Sequence, residues 1–173
     1  KEGGPSRDWL NPDLHYLASS RAKTKVRAWF NAQHTRETIA RGRDMVEKLL
    51  VRRCLDQLGL ARREGVLISG FEKSAAAIRS GRAAWVIEAA DGSADGRGKL
   101  LALAKHPSPA PKICGAFTAD DLSLALGLEN AIHAVLLQGL HADRWTMEVQ
   151  RLAGFRPLCP QSWNRAGPEN GAA

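Results

Sequence analysis

The 173-residue chain has few cysteines, few aromatic side chains and no long apolar segment. Its three cysteines lie at positions 54, 114 and 159 without metal-ligand spacing, which excludes a disulfide framework and a cysteine-rich zinc site. Such cysteine usage is typical of a reducing compartment, and we expect a cytoplasmic protein. Only 6% of the residues are aromatic, so wide stacking platforms for single-stranded nucleic acid are not expected.

Membrane and targeting signals are missing from the sequence. No apolar run approaches the roughly 20 residues of a membrane-spanning helix, so we expect no membrane association. The first residues lack a signal-peptide pattern and are typical of the interior of a longer chain. At 44% hydrophobic residues, the chain has ample material for one packed core, which argues against wholesale disorder.

Patterns that carry catalysis or bind metals are also scarce. The histidines form no metal-binding pair, and the stretch 91–100 lacks the first glycine and the final hydroxyl of a phosphate-binding loop. Asp120 and Asp121 are typical of the first turn of a helix, where carboxylates favour the positive end. Cys54 is expected to be a buried thiol, and His133 to lie on the exposed face of a strand. We therefore predict no enzyme activity, no cofactor and no metal.

Positive charge is concentrated in one part of the sequence. The net charge is +7, and the segment from Arg21 to Arg63 alone carries twelve basic and four acidic residues. A field of this kind favours a polyanion such as RNA, although a solvated helix surface would look similar. The basic residues expected to assist backbone binding precede residue 50: Arg21, Lys23, Lys25, Arg27, Arg41 and Arg43.

Hydrophobic periodicity divides the chain into a helical extension and an α/β domain. Residues 1–50 predict a helix capped by Ser19 or Ser20 that ends near Gln33, and a second helix that starts near Thr35. Residues 51–156 alternate between strands and helices, which predicts an α-β-α sandwich with a four-stranded sheet. The expected strands are 66–68, 84–88, 112–117 and 132–137, with helices at 70–79, 94–105, 118–126 and 140–152. Residues 157–173 are expected to form a disordered tail.

Residues 48–156 resemble the C-terminal half of YlxR-type bacterial RNA-binding proteins. The matching stretches follow in order over most of 100 residues: 50–63, 65, 70–73, 78–83, 89–93, 117–118, 125–127, 129–130 and 151–156. That half is similar to the ribosomal-protein superfamily that binds RNA kink-turns, so the resemblance implies a four-stranded sheet between helices. This agrees with the architecture predicted from periodicity.

The resemblance also implies where RNA would make contact. In the superfamily, a glycine-led turn opens a helix whose amides meet the RNA backbone, and Gly70, Phe71, Glu72 and Lys73 occupy that turn here. A second contact loop would contain Gly127, Leu128, Glu129 and Asn130, and basic side chains would assist at Arg62, Arg63, Arg79 and Arg82. The archaeal Gly-x-Asn-Glu pattern with a later lysine is replaced by Glu72, Lys73 and Ala76, which speaks against strict kink-turn recognition.

Residues 1–50 resemble a different family, the RelA/SpoT stringent-response proteins. The match begins at the end of their TGS domain and enters the helical part that follows, through 4–12, 16–17, 19–23, 25–27, 29–30, 41–43 and 47–49. None of their catalytic region is present, so no nucleotide chemistry is implied. YlxR-type chains usually start with a separate small domain that is missing here, so a natural fusion or a chimera would explain the combination.

Three functional hypotheses follow from the sequence. The first is a non-enzymatic protein that binds structured RNA or the ribosome through the Gly70–Lys73 turn and a basic helix face. The second is a regulatory fragment of a stringent-response protein, in which residues 1–50 bind a protein partner. The third is a folded scaffold without a function of its own, since joining two fragments need not preserve either activity.

Overall fold

The computed structural model describes residues 4–165, and the chain divides into two compact units, Lys1–Val46 and Glu47–Ala173. The sequence pattern predicts the division between Leu50 and Val51. Both positions fall within helix α1, which extends over Ser20–Arg63. No helix among the described residues is both long and apolar enough to cross a membrane.

The first unit contains two short 3-10 helices and the start of α1. The 3-10 helices are Arg7–Leu10 and Pro12–Leu14, and the side chains of Ser6 and Asn11 cap them. Ser19 caps α1, as expected, because its Oγ accepts from the Ala22 amide at 3.1 Å. Within this unit Trp29 and Phe30 meet edge to face at 5.1 Å between ring centroids, and the Arg7 guanidinium lies over Phe30.

The predicted break between two helices near residues 33–35 is wrong. Helix α1 continues through this stretch, where the hydroxyls of Thr35 and Thr38 donate to the carbonyls of Asn31 and His34 one turn earlier. These bonds satisfy the threonine side chains without interrupting the helix. Gly42 does not interrupt it either, since a single interior glycine costs only about 1 kcal/mol.

The second unit is an α-β-α sandwich, in agreement with the prediction. The elements after α1 are β1 Leu67–Ser69, α2 Phe71–Arg79, β2 Ala83–Glu88, α3 Ala94–Leu103, β3 Lys112–Cys114, α4 Ala119–Leu126, β4 His133–Leu137 and α5 Leu140–Ala153. Strand β4 lies between β1 and β2 and is antiparallel to both, whereas β3 pairs in parallel with β2, giving the order β1-β4-β2-β3.

Alternation along the strands gives the sheet two buried faces. On one face Trp85, Ile87 and Leu136 join a core with side chains from α1, α4 and α5, where Trp145 contacts Trp85 edge to face at 4.9 Å. On the other face Val86 and Val135, with Ile78 and Leu100, form a second core under α2 and α3. Helices therefore cover both sides of the short strands, as layered packing requires.

Strand β3 is shorter than the predicted 112–117, because the backbone beyond Cys114 bonds elsewhere. The Gly115 amide donates to the carbonyl of Leu158, and the Phe117 carbonyl accepts from the Ala90 amide. The expected tail is likewise ordered in part. Residues 161–165 form a 3-10 helix, and Leu158 packs against the first core. Residues 166–173 of that predicted tail lie outside the described residues.

Candidate RNA-contacting cleft

A cleft of about 360 Å³ lies at one end of the sheet. Its walls are the turn 69–71, which joins β1 to α2, and the segment 128–133, which leads from α4 into β4. Antiparallel pairing places the start of β4 beside the ends of both β1 and β2, with Ser69 opposite Ala134 and Glu88 opposite His133. The topology thus brings together two segments that are far apart in the sequence.

The first wall is the N-terminus of α2. Gly70 caps it with φ +94° and ψ 150°, a backbone conformation suited to glycine, and has no side chain that could bond the helix amides. The Gly70 amide donates to the carbonyl of His133, and the first bond of the helix runs from Ser74 back to Gly70. The amides of Phe71, Glu72 and Lys73 precede that bond, so they are the unsatisfied donors at the positive end of the helix.

The second wall is held by contacts around the C-terminus of α4. Arg62 donates from its guanidinium to the Leu126 carbonyl, where a cation also complements the negative end of the helix. Gly127 ends α4 in the left-handed conformation, and the Ser123 hydroxyl accepts from the Ala131 amide at 2.9 Å. Asn130 also has a positive φ, of 54°. These bonds fix both ends of the 127–130 loop.

The capping of α4 confirms a prediction. Thr118 and Asp121 form a reciprocal capping box, with each side chain accepting from the other residue's amide, and Asp120 lies in the first turn. A carboxylate from another loop helps, because Asp91 accepts from the Ala119 amide at 2.8 Å. The pair of aspartates therefore stabilises the start of the helix that carries the cleft loop.

The prediction that His133 lies on an exposed strand face is wrong. Its side chain is 14% exposed, and its Nδ1 lies 2.7 Å from Oε2 of Glu88, the residue directly opposite on β2. The imidazole also contacts the Phe71 ring edge to face, at 5.7 Å between centroids, and lines the cleft. Helices α2 and α3 cover this face of the sheet, which explains the burial.

Glu88 is a buried carboxylate that sequence reasoning missed. It is 1% exposed, and its Oε1 has no hydrogen-bond partner among the described residues. Burial raises the pKa of the Glu88 carboxyl, while the hydrogen bond and charge of His133 and the charge of Arg97 lower it by less. The sequence does contain a signal for this buried carboxylate, because Glu88 is a charged residue at the end of an otherwise apolar strand, Ala83–Glu88.

The structure brings together most of the residues predicted for the turn and the loop. Gly70, Phe71, Leu128, Glu129 and Asn130 line the cleft directly. The side chains of Glu72 and Lys73 are exposed in the first turn of α2, and Gly127 is exposed where α4 gives way to the loop.

The predicted arginines are not gathered at the cleft. The Arg62 side chain is committed to the end of α4, and Arg63 is exposed at the last position of α1. Arg79 ends α2, and Arg82 precedes β2 and bonds Ser80, so both lie at the opposite end of the sheet from Gly70. No lysine or arginine is among the described residues that line the cleft, and the exposed Lys73 lies next to it in the first turn of α2.

The accessory basic residues all lie on α1 in the first unit. Five of the six are exposed and Lys23 is half-buried: Arg21, Lys23, Lys25, Arg27, Arg41 and Arg43. Because exposed cations interact with a polyanion mainly through the phosphate charge, they suit sequence-independent backbone contacts.

A larger groove, of about 550 Å³, lies on another surface of the second unit, between α1 and α4. Its aliphatic lining residues include Val51, Leu55 and the exposed Leu124. The rim arginines already have acidic partners: Arg52 lies 3.9 Å from Asp56, and Arg156 lies 2.7 Å from Glu47. This groove contains none of the residues predicted for RNA contact.

No protein-family model matches the chain. It is 50% identical over 52 residues to a GTP pyrophosphokinase of Photobacterium angustum, which covers 30% of this chain and 7% of that protein. The Escherichia coli K12 GTP pyrophosphokinase is 39% identical over 64 residues, covering 37% and 8% of the two chains. These partial matches confirm the RelA/SpoT resemblance, and the chain spans less than a tenth of the length of either relative.

Two solved structures align with part of the chain. A protein of unknown function from Bacillus halodurans aligns with a TM-score of 0.51 and 22% identity, over 56% of this chain and 96% of that one. This likeness concerns the fold alone. A 15.5 kDa RNA-binding protein of Giardia lamblia aligns with a TM-score of 0.49 and 16% identity, over 62% of this chain and 90% of that one.

Proposed function

We propose that this chain is a non-enzymatic protein that binds structured RNA or the ribosome through the cleft at the start of α2. One observation carries the proposal: the Gly70–Lys73 turn and the 127–130 loop, selected from the sequence as separate RNA contacts, border a single cleft. Their convergence depends on the position of β4 between β1 and β2.

The chemistry of the turn suits a phosphate. The unsatisfied amides at the start of α2 are directed donors, and the helix end favours a negative charge. Gly70 leaves space beside them, since a Cβ built there would meet no atom within 4 Å. The exposed Lys73 adds a positive charge next to these donors. Together they support contact with an RNA backbone rather than with a neutral ligand.

The acidic side chains near the cleft limit how much of the affinity this site could supply. Glu72 and Glu129 are both exposed at its edge, and each would repel a phosphate that came close. The exposed cations of α1 would then supply general affinity for RNA, while the cleft would select the bound structure.

Salt dependence tests RNA binding by the whole chain. Binding of a labelled bulged hairpin RNA can be followed by fluorescence anisotropy. The logarithm of the binding constant should fall linearly with the logarithm of the salt concentration, because each neutralised phosphate releases counterions. Proteins that make about six to ten phosphate contacts typically lose about 10³-fold or more in affinity between about 50 and 200 mM salt. An affinity that stays constant over this range would contradict the proposal.

Single lysine variants test the location of the contact. Lys73→Ala should weaken binding several-fold and reduce the salt slope by about 1, as expected for the loss of one phosphate contact. Lys105→Ala is the matched control, because Lys105 is also exposed but lies beyond the end of α3. If Arg82→Ala weakens binding as strongly as Lys73→Ala, the contact surface is not the cleft.

A second candidate function is a protein contact through the first unit. The partial matches to GTP pyrophosphokinases favour it, as do three exposed apolar side chains on α1: Ile39, Met45 and Val46. Co-sedimentation with purified ribosomes separates the two candidates. Under this second function, Ile39→Glu should abolish co-sedimentation and Lys73→Ala should leave it unchanged. Under the first function, Lys73→Ala should weaken both co-sedimentation and binding of the hairpin RNA.

A further inference from the structure

We propose that the seam between α1 and α5 is a second contact for the RNA phosphate backbone, on a different surface of the second unit from the cleft. This inference rests on the proposed RNA function, because the same RNA would be bound. None of its arginines is among the contacts predicted from the sequence. The seam is defined by three side chains from each helix: Arg53, Gln57 and Leu60 on α1, and Arg144, Glu148 and Arg151 on α5.

Helices α1 and α5 lie antiparallel, and contacts between them fix the seam. In the buried layer beneath it, the Trp145 indole donates to the Cys54 carbonyl at 3.1 Å. At one end of the seam, Nε2 of His141 lies 2.8 Å from a carboxylate oxygen of Glu64. The arginines therefore project from two packed helices rather than from a loop.

One buried carboxylate holds two of the arginines. Oε1 of Glu148 accepts from the guanidinium of Arg53 and from that of Arg151, each at 2.8 Å. Glu148 is 5% exposed, whereas the side chains of Arg53 and Arg151 are 51% and 58% exposed. The carboxylate therefore anchors two guanidinium groups side by side, and both remain open to solvent.

The two anchored groups keep donors for a ligand. A guanidinium has five N–H donors in a planar fork, and the bond to Glu148 occupies one terminal nitrogen of each group. Such forks match the paired oxygens of a phosphate, and groups that are already held in place lose less freedom on binding. One carboxylate charge cannot neutralise two arginines, so an excess positive charge remains at the surface.

Arg144 extends this positive charge along α5. It lies seven residues before Arg151, on the same face of the helix and about 10 Å away along its axis. Arg144 is exposed beside a small hollow that it lines with Gln57, and no acidic side chain among the described residues pairs with it. Its neighbour Asp143 is exposed and would oppose part of the charge. Because the cations are spread over two helical turns, they suit a polymer of phosphates rather than a single small anion.

Arg52 provides a matched control for these arginines. It is the neighbour of Arg53 on α1, and its side chain is 81% exposed. It lines the groove between α1 and α4 instead of the seam, and it lies 3.9 Å from Asp56. Removing its charge changes the net charge of the chain as much as removing that of Arg144, without changing the charge of the seam.

The experiment measures binding of the bulged hairpin RNA by fluorescence anisotropy at several salt concentrations. Arg144→Gln should weaken binding several-fold and reduce the salt slope by about 1, because one phosphate contact is lost. Arg52→Gln should leave both quantities nearly unchanged. The substitution at Arg144 leaves no buried carboxylate without a partner, so the chain should fold normally.

Lysine at both anchored positions tests the guanidinium geometry. Arg53→Lys combined with Arg151→Lys keeps both charges, so the buried charge of Glu148 stays neutralised. An ammonium lacks the planar fork, so the affinity should fall by about threefold to tenfold, the range for one hydrogen bond, while the salt slope stays unchanged. Urea unfolding of this double variant checks that α1 and α5 stay packed.

The outcomes separate the inference from the proposed function. If Lys73→Ala weakens binding and Arg144→Gln does not, or if Arg52→Gln weakens it as much as Arg144→Gln, the seam is not a contact although the cleft proposal stands. If Arg144→Gln weakens binding and Lys73→Ala does not, the seam binds RNA and the cleft does not. If the wild-type chain binds no hairpin RNA, the proposed function fails and the inference with it.

The other class of partner for an arginine surface is an acidic protein. Met147, three residues after Arg144 on α5, is 56% exposed and distinguishes the two classes, because methionine contributes to protein interfaces but not to phosphate binding. Under the inference, Met147→Ala should leave both hairpin binding and co-sedimentation with ribosomes unchanged. If Met147→Ala and Arg144→Gln both release the chain from ribosomes while hairpin binding is unchanged, the seam binds a protein and the inference is wrong.

Discussion

Replacing Gly59 by alanine tests the contact between α1 and α4 on which the 127–130 loop depends. A Cβ built on Gly59 lies 2.7 Å from the carbonyl oxygen of Ala125, whereas ordinary contacts begin at 3.4 Å. The obstructing atom is backbone, so the two helices would have to separate by about 0.7 Å, the difference between the two distances. Displacements of this kind in a packed region cost about 1–3 kcal/mol.

Helix propensity acts in the opposite direction. An interior alanine is more favourable than glycine by about 1 kcal/mol, so the net loss from Gly59→Ala should be about 0–2 kcal/mol. Gly98→Ala is the matched control, because it gains the same propensity without a contact within 4 Å, and it should stabilise by about 1 kcal/mol. The difference between the two variants, about 1–3 kcal/mol, measures the separation cost.

Urea unfolding followed by circular dichroism gives both free energies of unfolding. Equal stabilisation by the two alanine variants would show that α1 does not approach the α4 backbone so closely. Since Ala125 precedes the Leu126 carbonyl that Arg62 bonds, Gly59→Ala should also weaken binding of the bulged hairpin RNA. Gly98→Ala should leave it unchanged.

Three further predictions concern buried groups. Burial raises the pKa of the Glu88 carboxyl above its ordinary value of 4.5, so its contribution to stability is present below that value and is lost as the pH rises through the folded value. In urea unfolding, wild type should therefore lose stability relative to Glu88→Gln as the pH rises above 4.5, and a difference that stays constant with pH would contradict this. Burial also raises the pKa of the Cys54 and Cys114 thiols to about 12. Ellman's reagent at pH 8 should therefore react only with Cys159 in the folded chain, since Cys54 and Cys114 are buried. Fast labelling of all three cysteines would contradict this packing. Arg62→Ala should lower the free energy of unfolding by about 1.5–3 kcal/mol, because it removes a charged hydrogen bond to the Leu126 carbonyl. Urea unfolding measures this loss, with Arg63→Ala at the exposed neighbouring arginine as the control.

The sequence predicts the fold of the second unit well, because local patterns determine most of it. Thr118 followed by Asp121 is a complete capping box that needs no tertiary information. A continuous apolar run identifies β2, and a short run of mostly apolar residues identifies β4. Glycines with positive φ mark turns at positions such as Gly81 and Gly127. The four strands and the helices between them follow from these signals.

One error has a local origin, and the others arise where distant residues decide the structure. The continuous α1 has weak signals near Thr35, and the end of β3 depends on Leu158, which is far along the chain. The turn and the loop of the cleft could each be predicted, but not that they lie next to each other. The Glu88–His133 pair requires the β2–β4 register, which no local pattern specifies, so a histidine in an apolar strand was assigned to the wrong environment.

The central position of β4 also determines when the cleft can come into existence. One wall follows the first strand in the sequence and the other precedes the last strand. The two walls therefore meet only after β4 inserts between β1 and β2. Contacts between residues so distant in the chain form late, because a long loop must close first. During synthesis, a chain that has not yet produced β4 would expose the start of α2 without its opposing wall. Binding competence would then report completed folding, so that only a finished domain engages its ligand.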